Sequence, residues 1–288
     1  MDEIAMKTTF LAKLHRKGLY CIIGALLLLV GIPLYQFLIL IPSGYSNALA
    51  TQSLALHWIN THSLQFLGYR VLLIAGFALI ISLPFTLFRI FVAQEILGRD
   101  DEKDGQEEDK QKGDDEKQEG QEEEKDQIVT GQADGVPEFA WRGKGYAVLA
   151  AWAGLFGLIF FVAGTLASTL YLAISATSLP SPAANLDNAV PLTGFFAIIT
   201  FTAGGGLLAL SCLFFGAVIA RSGLHLWPGI WIAFGYMAIA LAALFGASAT
   251  EVSFAPEAGQ ALLTTPTILL FAVWVLWFGI MLIRLKPE

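Results

Sequence analysis

Residues 70–89 read RVLLIAGFALIISLPFTLFR. From Val71 to Phe88 there is no charge, and Arg70 and Arg89 bracket the window. On an α-helix those arginines would stand about 28 Å apart, close to the roughly 30 Å hydrocarbon layer of a bilayer. A soluble helix of this length would carry a polar face; this one does not. The stretch therefore reads as a membrane span with a cation at each interface. Pro84 lies in its last third and predicts a kink, because proline has no N–H and its ring crowds the carbonyl four residues earlier.

Outward from this window the pattern repeats. The chain has 288 residues, 56% of them hydrophobic, with a mean hydropathy of +0.64. From Gly145 to Ala220 the single charged residue is Asp187. Apolar runs of spanning length cover Leu19–Ile41, Gly145–Ser175, Thr193–Ile219, a segment from Pro228 to Ser248, and Thr264–Ile283. The first follows a basic arm, residues 1–18, as a signal peptide would. At 23 residues it is longer than a signal core and ends short of the Ala48-Leu49-Ala50 cleavage-like site, so it reads as an uncleaved span. The expected fold class is all-α, a polytopic membrane bundle of six transmembrane helices. Pro33, Pro84 and Pro266 are its candidate helix breaks, and Arg221 to Trp227 is expected to form a tight turn. Glu251 and Glu257 are expected in the linker before the last span.

Between spans 2 and 3, residues Asp100 to Gln127 read DDEKDGQEEDKQKGDDEKQEGQEEEKDQ. Fifteen acids and five lysines give −10, against −7 for the whole chain, so the remainder is +3. Low hydrophobicity and high charge predict a disordered loop. Gly105, Gly113 and Gly120 mark a degenerate repeat that low-complexity expansion explains. The expected organisation is therefore 1–98 (basic arm and spans 1–2), 99–143 (acidic loop) and 144–288 (spans 3–6). The loop reads as a solvated linker, with a docking segment for a basic protein partner or a weak divalent-cation sponge as alternatives.

Orientation follows from positive charges in short flanks. With the N-terminus in the cytoplasm, the inside receives Lys7, Lys13, Arg16, Lys17, Arg89, Arg99, Arg142, Lys144, Arg221, Arg284 and Lys286; the outside receives Arg70 alone. Both termini and the acidic loop are expected in the cytoplasm, and the location is the cell membrane.

No large basic patch is present, which disfavours a nucleic-acid role. Cys21 and Cys212 form no CxxC motif and read as buried small apolar residues. Neither HExxH, P-loop nor GxSxG occurs. No Asp, Glu, Lys or His lies mid-span, which disfavours an ion-coupled carrier. His57 and His62, five apart beside Trp58, lack a third metal ligand. No catalytic, metal or cofactor residue is expected, and no cofactor. Arg89 is the candidate charge at membrane depth; its ordinary reading, like that of Arg70, is a cation snorkelling to headgroups. Thr165, Ser168, Thr200 and Thr202 are the candidates for a polar pathway between spans 3 and 4; their plain reading is hydroxyls bonded to their own helix backbone. Gly204-Gly205-Gly206 reads as close helix packing. Small residues four apart, Ala153 with Gly157, Gly164 with Ser168, Gly216 with Ala220 and Ala242 with Gly246, allow helices to approach, within the bundle or in a dimer.

An apolar glycine-bearing helix end, then Arg221-Ser222-Gly223, Pro228 and a small-residue helix with Gly235, resembles a family of small bacterial six-span integral membrane proteins of unknown function. The resemblance implies a fold and a membrane location and no activity. The leading expectation is a non-enzymatic membrane protein acting by helix packing and partner contacts, with the lipid bilayer, a second copy or a membrane partner as its partners. The alternative is a permease or channel for a small neutral or apolar solute. A third reading, an intramembrane enzyme, needs a cavity joining His57, His62 and Arg70.

Overall fold

The computed structural model describes residues 2–48, 52–92, 138–177, 194–226, 228–254 and 263–284. Residues 93–137 with most of the acidic loop, the 178–193 linker with Asp187, and Glu257 lie outside them. Six described helices are long and apolar enough to cross a membrane: Ala12–Leu40, Ser63–Val92, Gly145–Thr177, Gly194–Arg221, Gly229–Phe254 and Thr264–Arg284, named spans 1 to 6. Among the described residues there is no strand. The protein is an all-α, multi-pass membrane protein. Such helices suit lipid because each satisfies its backbone polar groups internally. Apolar side chains on their outer faces stay uncovered: Leu34 is 52% exposed, Leu38 71% and Ile174 64%.

Several boundaries differ from expectation. The first helix begins at Asp2, so the basic arm is helical. The helix holding span 3 begins at Glu138. Span 4 continues through Leu226, so the expected tight turn over Arg221–Trp227 is mostly helix. The next helix starts at Gly229, and the Pro228 carbonyl accepts the Trp231 N–H at 2.8 Å. The helix of span 5 reaches Phe254 and takes in Glu251. There the Glu251 carboxylate accepts the Leu263 N–H at 3.3 Å, at the start of span 6. A carboxylate suits that place because the first amides of a helix have no partner in the helix. Pro266 sits in the first turn of span 6 and breaks nothing.

Pro84 does interrupt span 2. The α-helix ends at Leu79 and resumes after a turn at Ile80–Ser82. Leu83 N–H reaches the Ile80 carbonyl at 2.9 Å, and Thr86 Oγ1 donates to the Ser82 carbonyl at 2.8 Å. The first of these bonds serves the Ile80 carbonyl that an N–H at position 84 would otherwise have reached.

Each span packs on its neighbours in sequence, and span 6 returns to span 1, so the six form a closed ring. Glycines sit where the ring is tightest. A Cβ on Gly18 would stand 3.0 Å from the Gly279 carbonyl oxygen, joining spans 1 and 6. Gly24 meets Gly76 between spans 1 and 2, Gly157 meets Gly204 between spans 3 and 4, and Gly216 meets Gly235 between spans 4 and 5. Without a hydrophobic driving force in lipid, such close backbone approach is what holds helices together. Aromatic rings fill the centre. Phe77 lies 4.3 Å from Phe161 and 6.4 Å from Phe271, and Phe234 stacks on Trp274 at 4.6 Å.

Candidate functional site: a cavity at one end of the ring

Span 1 departs from α-helix on both sides of Pro33. Leu27–Gly31 and Gln36–Leu40 are π-helical, and the Gln36 N–H is shared between the Ile32 and Pro33 carbonyls. Proline removes a donor and crowds the preceding turn, and a wider turn accommodates both. Span 4 carries a third π-helical segment, Ile198–Gly204, with no proline in it. Its Thr200 hydroxyl lodges against Gly164 of span 3, and its last residue, Gly204, meets Gly157.

All three segments line one cavity of about 400 Å³. Its walls come from the later halves of spans 1 and 3 and the first turns of spans 2, 4 and 6. The ends of these antiparallel helices thus converge on one side of the membrane. The deeper wall is apolar: Leu28, Ile32, Leu73, Phe161, Phe201 and Ile268. The polar groups are Gln36, Tyr69, Arg70, Thr165, Ser168, Thr200, Thr264 and Thr265. Among the described residues that line it there is no carboxylate.

Among the described residues Arg70 is the lone charge of this wall. Its guanidinium carbon lies 5.2 Å from the centroid of the Phe66 ring, and its Nε is buried with no hydrogen-bond partner among the described residues. Beside it, Gln36 Nε2 donates to the Tyr69 hydroxyl at 3.3 Å, and the Tyr35 hydroxyl donates to the Gln65 carbonyl at 3.1 Å. Burial raises the Tyr45 phenol above its usual pKa, and the Arg70 charge pulls it partly back.

A cap lies over this end. The helix Gln52–Thr61 carries Trp58, whose Nε1 donates to the Ser43 carbonyl at 2.8 Å. Trp58 stacks on His62 at 5.0 Å and packs with Leu40, Leu56, Ile59, Phe66 and Ala176. His62 Nδ1 is 2.8 Å from the Thr61 hydroxyl, while His57 is exposed. Neither histidine lines the cavity. Among the described residues no three His, Cys, Asp or Glu side chains gather as a metal site requires.

Of the four hydroxyls read as a polar pathway, Thr165, Ser168 and Thr200 meet at the cavity. Ser168 and Thr169 also donate to the Thr165 carbonyl, at 3.0 and 2.6 Å. Thr202 lies elsewhere, donating to the Ala249 carbonyl at 3.3 Å. It borders an open groove between spans 4 and 5 with Gly206, Ala242 and Gly246. Arg89 is exposed, within electrostatic reach of Lys17 and away from the cavity. Sequence reasoning missed Gln36 and Tyr69 and placed Arg70 among the headgroup anchors. The available signal was that Arg70 stood alone on its side of the membrane.

No family model, curated protein or solved structure matches the chain. The fold and the cavity define a class: a six-span, all-α membrane protein whose ring of helices opens at one end into a partly polar chamber.

Proposed function

We propose that the protein is a non-enzymatic membrane protein that admits a small, largely apolar molecule to this cavity, as a permease or carrier does. The observation that supports this best is the meeting at one chamber of the three π-helical segments found among the described residues. Irregular backbone at membrane depth is tolerated where it lines a cavity, and broken helices commonly form substrate sites. The volume falls within the roughly 300–1,000 Å³ of small-molecule sites, and the mixture of apolar walls with a few polar groups is typical of them. Native mass spectrometry of the purified full chain tests the reading. A small molecule retained by the wild type and lost in Ser168→Phe, which fills the cavity, supports it. Equal retention by both opposes it.

The groove between spans 4 and 5 favours a second reading, contact with a partner helix or a second copy. A Cβ on Gly206 or Gly246 meets nothing within 4 Å, so these glycines serve no packing inside the described ring. Cross-linking that traps a dimer in the wild type, and is lost in Gly246→Leu, would support it. In both readings we place the termini and the acidic loop in the cytoplasm and Arg89 at the inner headgroups. The asymmetry of flanking cations supports this.

A further inference from the structure

Resting on that reading of the cavity, we infer that its occupant is an amphiphile whose single anionic group, a carboxylate or phosphate, binds Arg70 while its apolar chain lies against Leu28, Ile32 and Phe201. Arg70 cannot lose its charge, and a guanidinium is built to grip planar or tetrahedral oxyanions with paired N–H groups. Among the described residues no carboxylate lines the cavity to answer it. Arg70 is partly exposed, as a snorkelling arginine is, yet its Nε is buried and has no hydrogen-bond partner among the described residues. A buried donor left unsatisfied is costly, and an incoming oxyanion removes that cost. Tyr69 adds a second donor. Its oxygen already accepts from Gln36, which leaves its own O–H to turn toward the same anion. Below these groups the wall is hydrocarbon and aromatic, so the rest of the ligand is apolar.

The test uses the full chain in nanodiscs of neutral phosphatidylcholine, titrated with dodecanoate, dodecyl phosphate, dodecan-1-ol and inorganic phosphate. The anionic amphiphiles should bind about tenfold or more tightly than the alcohol, as expected for hydrogen bonds to a charged group. Arg70→Gln should bring dodecanoate down to the alcohol's affinity and leave the alcohol unchanged. Arg70→Lys should retain part of the difference, and it decides the matter if Arg70→Gln does not fold. Phosphatidylglycerol in the nanodisc that displaces dodecanoate would support a lipid headgroup as the source of the anion; no displacement would support a free amphiphile. Equal binding of alcohol and carboxylate, or no effect at Arg70, overturns the inference and leaves the cavity reading standing. Inorganic phosphate binding as tightly as dodecyl phosphate overturns the amphiphile. Failure of every chain-bearing probe overturns both.

Discussion

Gly216 and Gly235 face each other where spans 4 and 5 cross, and a Cβ on Gly216 would stand 2.7 Å from the Gly235 carbonyl oxygen. Backbone cannot step aside as a side chain can. Gly216→Ala should therefore destabilise the bundle by about 1–3 kcal/mol, the usual cost of overpacking. Gly246→Ala is the matched control, because nothing lies within 4 Å of its Cβ position. It should hold or raise stability, by up to about 1 kcal/mol from helix propensity. Thermal unfolding of the detergent-solubilised variants, followed by tryptophan fluorescence, checks both. The contrast also shows what was readable at this scale. Spacing marks Gly216–Ala220 and Ala242–Gly246 alike as small-residue faces, yet one is filled by a neighbouring helix and the other opens on the groove. Spacing says that a helix can be approached, not what approaches it. Gly18 and Gly279 carried no signal, since they lie near opposite ends of the chain and meet only after the ring closes.

Among the elements, proline was legible and the π-helix was not. Pro84 placed the break of span 2 to within a turn, because the lost donor is a property of one residue. Around Pro33 the same loss is absorbed by widened turns on both sides, and in span 4 a widened turn appears with no proline at all. Those turns depend on what the neighbouring helix offers, such as Gly164 beside Thr200, so no local pattern announces them. Pro266 shows the converse: its position in the first turn of span 6 was fixed by where the helix begins. For span 1 this leads to a prediction. Pro33→Ala restores an N–H that the Leu29 carbonyl can accept and lets the π turns tighten. Each residue of register change swings the downstream side chains by about 100° around the axis. Gln36 would then leave Tyr69 and the cavity wall. Affinity for dodecan-1-ol in nanodiscs should fall roughly tenfold, equivalent to about 1.4 kcal/mol, while melting temperature holds or rises. Unchanged affinity would mean that the π turns do not shape the cavity.

For the whole molecule, hydropathy revealed six spans and their order, because lipid demands a length of apolar helix that soluble proteins seldom show. It did not reveal the closed ring or the cavity, which arise from contacts between distant spans. The acidic run dominates the net charge, and its removal takes the chain from −7 to +3. Deleting residues 100–127 should leave melting temperature and probe binding unchanged if the run is a linker, and a basic protein that co-purifies only with the intact chain would identify it as a docking segment. Orientation can be tested without background, because Cys21 and Cys212 are 0% and 2% exposed. Single introduced cysteines then report their own side of the membrane. His57 is exposed on the capping helix, at the end of the bundle where Arg70 stands alone. Gln111 lies within the acidic run. In intact cells a membrane-impermeant maleimide should label His57→Cys and leave Gln111→Cys unlabelled until the membrane is opened. That outcome is expected because cations flank the other end, which the positive-inside tendency assigns to the cytoplasm, while acids in the loop contribute little to the choice. The reverse labelling pattern would invert the assignment and place the Arg70 cavity on the cytoplasmic side, where an amphiphile would enter from the inner leaflet.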